Sequence, residues 1–149
     1  MQKKLFLFLV AISISFSSFA NPFEILGVKS GMTKDQVEQI VPLEEKYGSF
    51  RVSDSFLKEK NSFFDKSIYF RFTDEGILYY LEASSYYDGK KFSELALLSI
   101  LKDKYPDAKI SSGTDSTNKK YCYIVVEDEK VIYNTIILNK ERLLKGKKF

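Results

Sequence analysis

A serine three residues ahead of a lysine can supply a nucleophile and its base. The chain has that spacing at Ser55/Lys58, Ser99/Lys102 and Ser116/Lys119. Composition alone predicts about two such pairs in a chain so rich in both residues, and no Lys-Thr-Gly accompanies them. There is no histidine. That removes Ser-His-Asp and Cys-His pairs, His-ligated zinc, a proximal haem ligand and the commonest general base. Two carboxylates would suffice for glycoside hydrolysis. However, Glu24, Glu82 and the run Glu127-Asp128-Glu129 have the ordinary pattern of solvated positions, and the run lacks the spacing of a calcium loop. Neither a phosphate-cradling Gly-x-x-x-x-Gly-Lys nor a dinucleotide fingerprint occurs. The expectation is a protein that is not an enzyme and that has no cofactor and no metal.

Tyrosine is the residue type in excess, with 10 in the chain against no tryptophan. Many of the tyrosines fall at strand positions that alternate with apolar ones. If Ile68, Phe70 and Phe72 point to the core, Tyr69 and Arg71 point away, and so do Tyr80 and Glu82 on the following strand. If Cys122, Ile124 and Val126 point in, Tyr121 and Tyr123 point out. Tyrosine and arginine are enriched where proteins bind proteins, since they offer rigid contact area with a polar end. Aromatic rings also pair across strands for stability alone. The candidate partner-binding set is therefore Tyr69, Arg71, Tyr80, Glu82, Tyr121 and Tyr123. The single cysteine, Cys122, cannot form an internal disulfide. It is expected to be a small buried apolar residue, with an intermolecular bridge as the alternative.

These residues need elements to position them. Thr33 with Gln36 forms a Thr-x-x-Gln capping box for a helix over Lys34 to Val41, Met32 and Val37 supply the hydrophobic staple, and Pro42 ends the helix. From Glu44 to Ser62 the periodicity is weak, with a short strand hinted at by Phe50 and Val52. Ile68 to Thr73 alternates, Asp74-Glu75-Gly76 turns, and Ile77, Tyr79, Leu81 and Ala83 return on one face, a β-hairpin broken at Asp88-Gly89. Lys90 to Tyr105 carries apolar residues at helical spacing and stops at Pro106. Ser111 to Lys120 reads as a loop. Tyr121 to Val126 and Val131 to Leu138 read as a second hairpin around a solvated turn at Glu127 to Lys130. The expected class is α+β, two helices on one face of an antiparallel sheet, with a tandem helix-and-hairpin repeat suggested by starts at Thr33 and Lys90.

The N-terminus has the signature of export. Met1-Gln2-Lys3-Lys4 is basic, Leu5 to Ile14 is apolar, and Ser18-Phe19-Ala20 places small residues for cleavage. Serines at 13, 15, 17 and 18 count against a membrane anchor, and Asn21 rather than cysteine follows the cut. Removing residues 1–20 would leave 129 of 149 residues and lower the net charge from +3 to +1, which gives no sign of nucleic-acid binding. The expected location is the periplasm, with the extracellular space as the alternative. A single domain over 21–138 precedes a basic tail over 139–149, whose net charge is +4. Such a tail can touch anionic lipid or wall polymers, or be a solvated end.

The stretch Gly27-Val28-Lys29-Ser30-Gly31-Met32-Thr33, with Val37 four residues on, resembles small exported bacterial proteins of the Gly-x-x-x-Gly-Met-Thr-x-x-x-Val type. Among these are outer-membrane assembly lipoproteins of the BamE class and the repeats of β-lactamase inhibitor protein. Phe70 to Ile77 and Leu101 to Pro106 are similar to strand-turn and helix-end segments of uncharacterised periplasmic proteins. The chain has neither a lipobox cysteine nor the paired cysteines of the inhibitor repeats. The resemblance implies a non-enzymatic fold that binds a protein across its sheet. The first expectation is an inhibitor or immunity-type module acting on an envelope hydrolase or a delivered toxin. The alternative is an envelope assembly or structural accessory using the basic tail, and a third reading is a hydrolase with two converging carboxylates.

Overall fold

The computed structural model describes residues 22–88 and 93–146. The export segment with its cleavage point, the break at Gly89, the predicted helix start at Lys90 to Phe92, and the last three residues of the basic tail lie outside them.

Strands β1 (Glu24–Ile25) and β2 (Val28–Lys29) form a small antiparallel ribbon. There follow α1 (Lys34–Ile40), β3 (Leu43–Lys46), β4 (Ser49–Val52), α2 (Asp54–Glu59), β5 (Ser67–Phe72), β6 (Leu78–Tyr86), α3 (Glu94–Lys104), β7 (Lys109–Thr114), β8 (Lys120–Glu127) and α4 (Glu129–Gly146). The remaining six strands make one sheet in the order β3-β4-β5-β6-β8-β7. Every neighbouring pair is antiparallel. The class is thus α+β, as the alternation implies. The described residues hold four helices rather than two, and three successive helix-hairpin units, led by α1, α2 and α3, rather than a pair.

The expected capping box is present: Thr33 Oγ1 accepts from the Gln36 N–H at 3.2 Å while Gln36 Oε1 accepts from the Thr33 N–H at 3.0 Å. Ser53 and Ser93 cap α2 and α3 in the same way through a single hydroxyl. One face of the sheet carries the cross-strand rows Phe70–Leu81–Val126 and Ile68–Ala83–Ile124. Val37 of α1, Leu57 of α2, and Leu97 and Leu101 of α3 join these in one buried cluster, so three helices share a face. Cys122 is part of the cluster and fully buried, and burial pushes its thiol above the usual range.

Four expectations are corrected. Between Glu44 and Ser62, where periodicity was weak, the chain forms β4 at the predicted place and also most of β3 and all of α2. The predicted loop Ser111 to Lys120 contains the end of edge strand β7, and the second hairpin is β7–β8. Val131 to Leu138, expected as a strand, lies in α4, which runs on through the predicted tail to Gly146. The turn Glu127 to Lys130 is not wholly in water: Asp128 is 5 % exposed, and its carboxylate accepts the N–H groups of Lys130 and Val131 as the cap of α4. A register shift in the first hairpin is a finer departure. Arg71 pairs with Tyr80 and Phe72 with Leu78, so Tyr79 is an extra residue in β6 and Leu78, rather than Ile77 or Tyr79, enters the core. Among the described residues no helix is long and apolar enough to cross a membrane.

A candidate binding groove on the open sheet face

Because side chains alternate along a strand, the strands that bury Phe70, Leu81 and Ile124 display a second set on the opposite face. Register aligns that set into rows. One runs Arg51–Tyr69–Glu82–Val125 across four strands, and the next runs Ser67–Ser84–Tyr123–Ser111. Ser67 and Ser84 are small and almost fully buried, so the rings and long cations around them stand above a low floor. The result is a groove of about 820 Å³ lined by Lys46, Arg51, Lys66, Arg71, Glu82 and the rings of Tyr69, Tyr121 and Tyr123.

Five of the six residues predicted from alternation therefore meet in one groove: Tyr69, Arg71, Glu82, Tyr121 and Tyr123. Tyr80 is on the same face but does not line the groove, and only 7 % of it is exposed. The Arg71 guanidinium lies 4.4 Å from its ring centroid, a cation–π contact. The Tyr80 hydroxyl donates to Glu82 Oε2 at 3.0 Å. Burial first, and then that carboxylate, push the Tyr80 pKa up to about 12. Tyr80 is thus a support that fixes Arg71 and Glu82 rather than a contact surface.

The other rings are held by the edge strand. Tyr121 pairs with Gly113, and a Cβ on that glycine would lie 2.8 Å from the Tyr121 hydroxyl oxygen, so the ring rests where a side chain would otherwise be. Tyr123 follows with its ring centroid 6.1 Å from that of Tyr121. Lys66 Nζ sits 4.6 Å from the Tyr121 centroid and 5.9 Å from that of Tyr86. At the end of the β7–β8 hairpin, Asp115 accepts from the Thr117 hydroxyl at 2.7 Å and from the Tyr86 hydroxyl at 2.9 Å. These bonds, the one from Thr117 foremost, hold its carboxyl at about 2.

Alternation alone does not identify Lys46, Arg51 and Lys66, or Tyr47 beside them in the groove wall. Lys46 and Tyr47 belong to the β3–β4 turn, where both Tyr47 and Gly48 have positive φ, 53° and 77°. Two left-handed residues between paired Lys46 and Ser49 match a type I′ hairpin. The available signal is the dipeptide Tyr47-Gly48 ahead of the Phe50/Val52 alternation. Arg51 Nη2 donates to Asp54 Oδ1 at 2.7 Å, while its buried Nε finds no partner among the described residues. Arg71 Nε donates to Ser49 Oγ at 3.0 Å.

Among the described residues no three carboxylate or thiol groups come together in a metal-binding cluster. The groove instead offers hydroxyls, rings and fixed cations, which suit recognition of a surface. Comparison of the chain with protein-family models, curated proteins and solved structures finds no match.

Proposed function

We propose that the protein is an exported, non-enzymatic binding module that inhibits or neutralises a protein partner through the open face of its sheet. The observation that supports this reading most is the convergence of Tyr69, Arg71, Glu82, Tyr121 and Tyr123 on one groove. Rigid aromatic residues and arginine, supported from below and open above, are the composition of an interface centre. β5, β6 and β8 are interior strands, flanked on both sides in the sheet. Their backbone groups serve the ladder, so a partner must be read by side chains rather than by adding a strand. The location proposed is the periplasm, after cleavage behind Ala20, and the partner an envelope hydrolase or a delivered toxin. The test is affinity capture from periplasmic extract with wild type and a Tyr69→Ala/Tyr123→Ala variant. The double variant should lose the partner that wild type retains. Equal recovery by both, with matching circular dichroism, rejects the face as the interface.

A further inference from the structure

We propose that the partner segment seated in the groove is acidic, a peptide stretch with several carboxylates, an inference that rests on the sheet face being the interface. Four cationic side chains, Lys46, Arg51, Lys66 and Arg71, line the groove against one carboxylate, Glu82, which already accepts the Tyr80 hydroxyl. Among the described residues, Lys46, Lys66 and Arg71 make no ion pair. Arg71 donates to a neutral serine, and Lys66 rests against two rings. Such contacts fix where the charge sits without cancelling it. Arg51 does have Asp54, 68 % exposed, but keeps an unused Nε–H.

Covering this groove with a neutral or basic segment would strip water from three cations that make no ion pair among the described residues, which costs free energy unless opposite charge arrives with the cover. Carboxylates spaced along a peptide supply it, and charge complementarity of this kind also selects among partners. A nucleic-acid backbone is a poorer fit. Glu82 stands mid-row between Tyr69 and Val125, where an unbroken line of phosphates would meet a like charge. A peptide can instead lay an uncharged side chain there, against the Tyr69 and Tyr123 rings.

The experiment uses the mature chain and three labelled probes followed by fluorescence anisotropy: a decapeptide of alternating Glu and Ala, its Gln/Ala counterpart, and decathymidylate. The acidic peptide should bind about tenfold or more tighter than the neutral one, weaken as salt is raised, and lose about tenfold with Lys66→Gln or Arg71→Gln. Equal binding of the two peptides, no binding of the acidic one, or indifference to both substitutions overturns the proposal. Tighter binding of decathymidylate overturns it in favour of a polyphosphate ligand. If the Tyr69→Ala/Tyr123→Ala variant loses its captured partner while the acidic peptide fails, the sheet face stands as the interface and only the charge assignment falls.

Discussion

Tyr47 is 98 % exposed and holds φ at 53°, a conformation that a side chain beyond glycine or asparagine adopts at some cost. Almost none of its ring is covered by the fold, so the side chain gains no packing against that cost in the free protein; at the rim of the groove the proposed partner would cover it. Tyr47→Asn, which creates the preferred Asn-Gly turn, should stabilise the chain by about 1 kcal/mol in urea denaturation and weaken capture of the partner. A variant that is less stable, or that captures as well as wild type, would show that Tyr47 serves the hairpin and not the interface. Residues on long alternating strands were legible beforehand: Tyr69, Arg71, Glu82, Tyr121 and Tyr123 follow from the period of two. Alternation puts Tyr80 on the open face but does not show that it is 7 % exposed beneath Arg71, since no spacing rule says that an arginine folds over its neighbour's ring. Lys66 was missed because it precedes its strand, and Lys46 and Arg51 because they lie where the pattern spans only a few residues.

Among the elements, α4 departs furthest from what its composition implies. Val131, Ile132, Thr135, Ile136 and Ile137 are β-branched and favour strands by propensity. Asp128 outweighs them locally. Its carboxylate takes two of the free N–H groups at the helix start, and Glu129 sits in the first turn where negative charge is favoured. The Asp128 N–H also donates to the Tyr79 carbonyl at 2.7 Å, so the bulge in β6 anchors the cap. Asp128→Ala should cost about 1–2 kcal/mol by chemical denaturation and lower the helical circular dichroism, whereas Asp128→Asn should retain most of both. An alanine variant as stable as wild type would show that tertiary packing of α4, and not its cap, decides between helix and strand. The helices that were legible carry their caps in the sequence, as Thr33 and Gln36 do. Edge strand β7 was not legible because its Ser111-Ser112-Gly113-Thr114 composition describes a loop until β8 pairs with it.

For the whole molecule, the proposed interface is the sheet face opposite the buried cluster. The sheet ends in β3, four residues long with Glu44, Glu45 and Lys46 exposed, and in β7, which opens on exposed Lys109. A short charged edge such as β3 discourages strand addition. α1, α2 and α3 pack on one face, and the groove opens on the other. That face is built across a seam. The hairpins β3–β4, β5–β6 and β7–β8 each close between neighbours in the chain, but β6 joins β8 only after α3 has been crossed, with Tyr86 opposite Tyr121. Long closures cost more chain entropy than short ones and slow folding. Pulsed hydrogen exchange during refolding should therefore protect the amides of the three hairpins before those that bond β6 to β8, and simultaneous protection would contradict that order. Glu82 and Ser84 lie on one side of the seam, and Tyr121, Tyr123 and Val125 on the other. On that order the proposed recognition surface is the last part of the molecule to come into being, and a chain arrested one pairing short of native would carry every residue of the proposed contact set without the groove that gathers them.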